Sequence, residues 1–399
     1  MAHPYTSDMI EYKSNGITMD VVVPTITKLV NVAAVAKEGD RAWVIECGVS
    51  FTRRTIVLTD ASTAARWVPD DPRFGSNNMQ SGAGGVPCGT VSTEGVWTVA
   101  ATATLVEADF NKTYNVLELA FNTAGGPIVL DAPAFADWPN YIRVACAKLS
   151  KTDDANNATL SLQGLGFPGG TGGTHGGAGP TAGTGPAAHG QFYLIARGGG
   201  GGSGGESGAS PGIAGADSVH VLDDMVWKGS ASTNACGAAP SGVNGGVPNA
   251  LAPAYPVDVF RHGPDHLVGM NPASGGGGGG GNGDIGGKGG AGGSGGGFVM
   301  IDAACVYVPQ GTLFLYALGT DGADGAAAGG GSGGGGGAGG GGGGGGFLRL
   351  RYRRKDIAGT LTLGANYGNG GNGGAGDGAG KAGGNGGEGL DGFAEQVFV

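Results

Sequence analysis

Charge is scarce in this sequence: Asp, Glu, Lys and Arg make up 14% of 399 residues, and they sum to −10. An acidic balance excludes the basic face that general nucleic-acid binding needs. No apolar run approaches the ~18 residues of a membrane helix, so no membrane insertion is expected. Five cysteines, Cys47, Cys88, Cys146, Cys236 and Cys305, stand singly without a C-x-x-C pair. That scatter argues against a disulfide framework and a zinc site, and it suits assembly in a reducing cytoplasm. The stretch "MAHPYTSDMIEYKSNG" has neither a basic segment nor an apolar core, so no secretory signal is expected. Proline, at 19 residues, is too rare for collagen, whose unbroken G-X-Y period is missing as well.

Catalytic motifs are also absent. With 93 glycines, G-x-G-x-x-G recurs by chance and carries no information. A phosphate-binding loop needs G-x-x-x-x-G-K-[ST], whereas "NGDIGGKGG" has Asn282 for the first glycine and Gly289 after Lys288. "YPVDVFRHGPDHLVGMNP" gathers Asp258, His262, Asp265 and His266 without metalloprotease spacing. "TDGADG" (Asp321, Asp324) and "NGDIG" (Asp284) lack the twelve-residue calcium-loop pattern and read as solvated turn aspartates. No catalytic residue, metal or cofactor is expected, and the chain does not read as an enzyme.

What is present is β pattern and glycine. Residues 1–135 carry "GITMDVVVP", "RAWVIECGVSF", "RTIVLTD", "GVWTVAATATLVEA" and "YNVLELAF", short β-branched or aromatic runs bounded by turn residues. They read as an N-terminal β-sandwich-like domain for attachment and assembly. "TKLVNVAAVAKEGDRAWV" is the one helix candidate, and it drifts towards strand.

Residues 136–399 read as a glycine-rich repeat domain, interrupted by an insertion at 206–273. T-L-x-L recurs as "TLSL" from Thr159, "TLFL" from Thr312 and "TLTL" from Thr360, each followed by a glycine-spaced tail. Before these come "YIRVACAKL", "FVMIDAACVYV" and "FLRLRYRRK". The last two strands emerge straight from glycine runs at 275–297 and 329–346. A flexible linker has no reason to return to the same strand pattern, and it would alternate glycine with serine. Ordered glycine needs partners for its N–H and C=O groups. Polyproline-II helices packed side by side supply them, and only glycine lets their backbones approach so closely. The expected fold is mainly β with little helix: a β domain plus packed polyglycine-II helices clamped by short repeated strands.

Glycine runs alternating with short connectors resemble the tail-fibre-tip adhesins of some tailed bacteriophages. The resemblance spans about residues 160–392 and lies in composition and architecture. It implies a sandwich of polyglycine-II helices whose connecting loops bind a receptor, a protein or glycan on the host surface. It also implies a virion location after assembly in the host cytoplasm, with other virion proteins as partners of the N-terminal domain. Phage fibres are commonly trimeric, and either a homotrimer or a single chain on a trimeric stalk fits. The alternatives are a structural virion component without receptor contact (collar, capsid decoration or fibre shaft) and a bacterial glycine-rich surface adhesin.

Two sets of residues are candidates for recognition. Trp227, Tyr255, Phe260 and His262 lie in the Pro- and Gly-rich insertion, where aromatics on loops of a rigid scaffold suit receptor binding. The same residues could instead form a small core. Arg349, Arg351 and Arg353 share one strand face at period two, opposite Leu348, Leu350 and Tyr352. They read either as a polyanion-binding strip or, preferably, as a face paired with carboxylates of a neighbour.

Overall fold

The computed structural model describes residues 11–14, 19–81, 85–133, 141–166, 168–173, 193–194, 220–222, 225–227, 270–271, 286–329, 334–378, 380–389 and 391–399. Among these the chain is mainly β, with a single α-helix.

The N-terminal sheet has the order β1 (Glu11–Ser14), β2 (Met19–Val23), β3 (Arg41–Val44), β4 (Val49–Val57), β5 (Thr63–Pro69). Helix α1 (Ile26–Val32) links β2 to β3; Thr25 caps it by accepting the Lys28 N–H, and Ile26 and Leu29 are buried. The ambiguous "TKLVNVAAVAKEGDRAWV" thus divides. Its start, behind the cap, is helix, and its end, alternating exposed and buried, is strand β3.

The remaining strands alternate between two parallel sheets. One contains β6 (Thr90–Val91), β7 (Val96–Val99), β9 (Lys112–Phe121), β11 (Tyr141–Lys151), β17 (Phe298–Val308), β19 (Phe347–Ile357) and β21 (Phe393–Phe398). These run edge to edge in that order, and only β6 is antiparallel to its neighbour. The other sheet contains β8 (Ala103–Thr104), β10 (Ile128–Asp131), β12 (Ala158–Ser161), β18 (Thr312–Tyr316) and β20 (Thr360–Gly364), all parallel. Short elsewhere-paired strands are β13 (Tyr193–Leu194), β14 (His220–Leu222), β15 (Met225–Trp227) and β16 (Met270–Asn271).

Side-chain alternation explains the layering. Ile142, Val144, Val299, Ile301, Leu348 and Leu350 face the second sheet and meet Leu160, Leu313 and Leu315 in the main core. The opposite face places Leu117, Ala147, Ala304 and Cys305 against Val44, Phe51 and Trp67 of the N-terminal sheet. The result is three layers, with the seven-stranded sheet in the middle. Residue 135 marks no break in this arrangement: β9 before it pairs with β11 after it over nine residue positions. The division expected at 135 is therefore corrected. The sheet confined to the N-terminal part ends at Pro69, and its sandwich partner is built from strands beyond residue 90.

The glycine segments leave β12, β18 and β20 and return to β17, β19 and β21 as six rods, 164–173, 286–297, 317–329, 334–346, 365–377 and 380–392. We label them I to VI. None of their described residues is helix or strand. They are tied laterally by backbone hydrogen bonds that recur at every third residue. Gly287, Gly290, Gly293 and Gly296 of rod II donate to Gly335, Ala338, Gly341 and Gly344 of rod IV. Gly337, Gly340, Gly343 and Gly346 of rod IV donate to Ala326, Ala323, Thr320 and Ala317 of rod III. Gly336, Gly339 and Gly342 donate to Lys381, Gly384 and Gly387 of rod VI.

Each returning rod enters its strand on an aromatic. Phe298, Phe347 and Phe393 occupy one register and stack, with ring centroids 4.5 and 5.5 Å apart.

Candidate functional site

Rod IV is buried along its whole length, because rods II, III, V and VI all hydrogen-bond to it. A Cβ at Gly340 would lie 2.0 Å from the carbonyl oxygen of Ala291, and one at Gly339 would lie 1.9 Å from that of Gly371. Both are backbone contacts that no rotamer change relieves. The phase of 335, 338, 341 and 344 differs: Ala338 sits there, buried, with its methyl accommodated.

Side chains on the outer rods follow the same period. Asn366, Asn369, Asn372 and Ala375 are exposed on rod V, as are Ala382, Asn385, Glu388 and Asp391 on rod VI. Several are lateral clasps. Asp321 Oδ1 accepts from the Asn369 N–H at 2.7 Å, Asp324 Oδ1 from the Asn372 N–H at 2.6 Å, and Asn385 Oδ1 from the Gly373 N–H at 2.8 Å. The aspartates of "TDGADG" thus hold one rod to the next, more than the solvated-turn reading expected. Asp284 lies outside the described residues.

Away from the strands, the described residues of the rods run to Gly173 and Gly286, Gly329 and Gly334, and Asp377 and Gly380. The chain between the first two ends is the long connector containing the insertion. Trp227 closes β15, which pairs with β14 so that Trp227 is opposite His220. Tyr255, Phe260 and His262 lie outside the described residues.

The arginines are described, and they correct the polyanion strip. Arg349 is only 4% exposed. Arg351 forms a bidentate pair with Asp302, whose second oxygen also accepts from Arg143 at 3.0 Å. Arg353 reaches Asp71 at 2.9 Å. Arg351 and Arg353 thus neutralise neighbouring carboxylates, Arg353 lying over the Phe74 ring, while Arg349 is buried beside Met300. The carboxylate-paired alternative describes Arg351 and Arg353.

An open polar cleft of about 610 Å³ is lined by Thr59, Asp60, Gln80, Ser81, Asp109 and Tyr114, among others. Its groups are engaged internally. The Tyr114 hydroxyl donates to the Asp109 carbonyl at 2.7 Å, and burial raises its pKa. Asp60 accepts from both the hydroxyl and the N–H of Ser62, which lower its pKa. These bonds occupy the Tyr114 hydroxyl and the Asp60 carboxylate.

A buried cluster between the N-terminal and middle sheets was invisible to spacing arguments. Cys47 and Cys305, 258 residues apart, bring their Sγ atoms to 2.9 Å. Beside them Lys148 reaches Glu46 at 3.2 Å and Glu118 at 3.9 Å, and the Ser150 hydroxyl donates to Glu118 at 2.6 Å. Burial raises the pKa values of Cys47 and Glu118. Burial opposes the charge on Lys148, but Glu118 and Glu46 outweigh it and raise its pKa. Parallel pairing of β11 with β17 places Lys148 directly opposite Cys305, a relation that only the register reveals.

No protein-family model, curated protein or solved structure matches the chain.

Proposed function

We propose that the chain is a virion structural protein, a phage tail-fibre or spike adhesin. In this reading it binds a host surface receptor through loops carried on a rigid glycine scaffold. The observation that carries the reading is rod IV, a buried glycine segment bonded laterally to four neighbours. Three residues per turn is the repeat of a polyproline-II helix, so we read the six rods as a polyglycine-II sandwich. Such a bundle is stiff, carries its polar side chains on the outer rods, and holds the ends of its connectors in fixed positions. Loops positioned by a rigid scaffold are a common basis of recognition. The N-terminal sheet, docked on the opposite side of the middle sheet from the main core, supplies the surface for other virion proteins.

The test uses the purified full chain, its Trp227→Ala/Tyr255→Ala variant, and host cells. The unsubstituted chain should bind cells and compete with particle adsorption. Loss of an aromatic hot spot costs about 2 kcal/mol or more, roughly thirtyfold in affinity, so the variant should compete at least that much more weakly while keeping its thermal midpoint. Undiminished competition by a folded variant would remove these aromatics from recognition.

A second reading, a structural component without receptor contact, is favoured by a different observation. Strands β20 and β21 end their sheets, with no further strand beyond them among the described residues. Phe398 on β21 is 74% exposed. Open parallel edges accept further strands, as an assembling shaft or collar would require. Failure to bind cells, together with concentration-dependent assembly through this edge, would favour this reading.

A further inference from the structure

We propose that Cys47 and Cys305 form a disulfide that staples the N-terminal sheet to the parallel stack once the protein meets an oxidising medium. The proposal does not rest on the function above. Their sulfurs lie 2.9 Å apart, both residues are buried, and they approach from different layers. Cys47 is in the turn between β3 and β4, and Cys305 is on the central strand β17. A sulfur–sulfur bond is about 2.05 Å long, so closure requires roughly 0.9 Å of movement. The β3–β4 turn can supply it more readily than a strand paired on both sides. Cys146 does not compete: it belongs to the main core, on the other face of the middle sheet.

A divalent metal is the rival occupant, because a carboxylate oxygen of Glu46 lies within 4.8 Å of both sulfurs. Two thiolates on one tetrahedral zinc stand about 3.8 Å apart, so a metal would have to push these sulfurs away from each other. The Glu46 carboxylate is also already engaged by Lys148. Sulfur geometry and carboxylate engagement both favour the covalent bond.

The oxidant required is a small-molecule disulfide such as oxidised glutathione. One cysteine thiolate attacks it, forming a mixed disulfide and expelling one glutathione thiolate. The other cysteine's thiolate then attacks the protein-side sulfur and expels the second. Two protein thiols thereby lose two electrons and two protons, and the reagent takes them up as two thiols. The closed fold shields both sulfurs, and burial disfavours the thiolate. Exchange is therefore slow and runs through molecules in which the β3–β4 turn has lifted.

The full-length chain is incubated with oxidised glutathione, with and without urea below the unfolding midpoint. Free thiols are then blocked and the digest is analysed by mass spectrometry without reduction. The expected product is a linked pair of peptides carrying Cys47 and Cys305, two hydrogens lighter than their sum and separated by reduction. It should form faster in urea and persist in Cys146→Ser and Cys88→Ser. The oxidised chain should also melt several degrees higher than the reduced one, a rise lost in Cys47→Ser; if that variant does not fold, Cys305→Ser replaces it. The proposal is overturned if both cysteines remain blockable after incubation in urea, or if either links elsewhere. Retention of one zinc ion in native mass spectra, with no oxidative link, would assign the cluster to a metal instead.

Discussion

Rod IV and β19 are consecutive in the chain and opposite in construction. Twelve of the thirteen residues in 334–346 are glycine, and none of the eleven in Phe347–Ile357 is. In β19, side chains do the packing: Leu348 and Leu350 fill the main core while Arg351 and Arg353 neutralise carboxylates across the other face. In rod IV the backbone does it, since its amides and carbonyls bond to four neighbouring rods and any Cβ at two of the three phases would strike one. Rod IV is buried throughout, and β19 is buried over Phe347–Leu350 and exposed from Arg354 to Asp356. Glycine is costly to order, so its use here marks the place where a side chain has no room. The switch occurs at Phe347, where stacking with Phe298 and Phe393 gives the last glycine of each returning rod a fixed exit.

A single side chain placed in rod IV should have the largest effect. Gly340→Val should collapse the bundle, at a cost beyond the ~1–3 kcal/mol typical of overpacking, because the obstacle is backbone. Its neighbour Gly341→Ala shares the phase of Ala338 and should cost less than about 1 kcal/mol. Chemical denaturation of the two variants checks the contrast, and equal effects would contradict the assignment of phases. For the strands, Asp302→Ala should cost about 3–5 kcal/mol, because it leaves Arg143 and Arg351 as uncompensated, largely buried charges. A change within 1 kcal/mol would mean that water already screens them.

The smallest expected effect is on pH dependence, at the corner between β11 and β12. Asp154 accepts from Thr123, Thr152, Lys151 and the Asn156 N–H, and these bonds hold its pKa well below the usual range. A depressed carboxylate contributes stability above its unfolded value of about 3.9, and that contribution is lost as pH falls towards the folded value. Asp154→Asn should therefore lower stability at neutral pH and flatten its decline below about pH 4. Melting curves between neutral and acid pH would show this, and parallel declines would remove Asp154 from the acid response.

The repeat was legible because each unit carries the same punctuation: an aromatic start, T-L-x-L and a glycine tail. Its register was not. Thr312 pairs with Thr360, but Thr159 pairs with Phe314, so the first motif is displaced by two residues. An even displacement keeps every leucine on its face, which is why the leucine pattern survives the shift. The early strands β7 to β10 belong to the same sheets but lack glycine tails. They therefore read as part of a separate domain. The arginine pairs with Asp302 and Asp71 and the meeting of Cys47 with Cys305 depend on contacts across layers, which no local spacing encodes. The period of three, by contrast, stands openly in "GNGGNGGAGD", where Asn369, Asn372 and Ala375 take the exposed phase.

Amide hydrogen exchange in rod IV, measured on glycine-labelled protein, reads the lateral bonding of the bundle. The N–H groups of Gly336, Gly337, Gly339, Gly340, Gly342 and Gly343 donate to neighbouring rods and should exchange slowly, as those of the core strands do, despite the absence of helix or sheet. Random-coil exchange rates throughout 334–346 would contradict a packed glycine bundle.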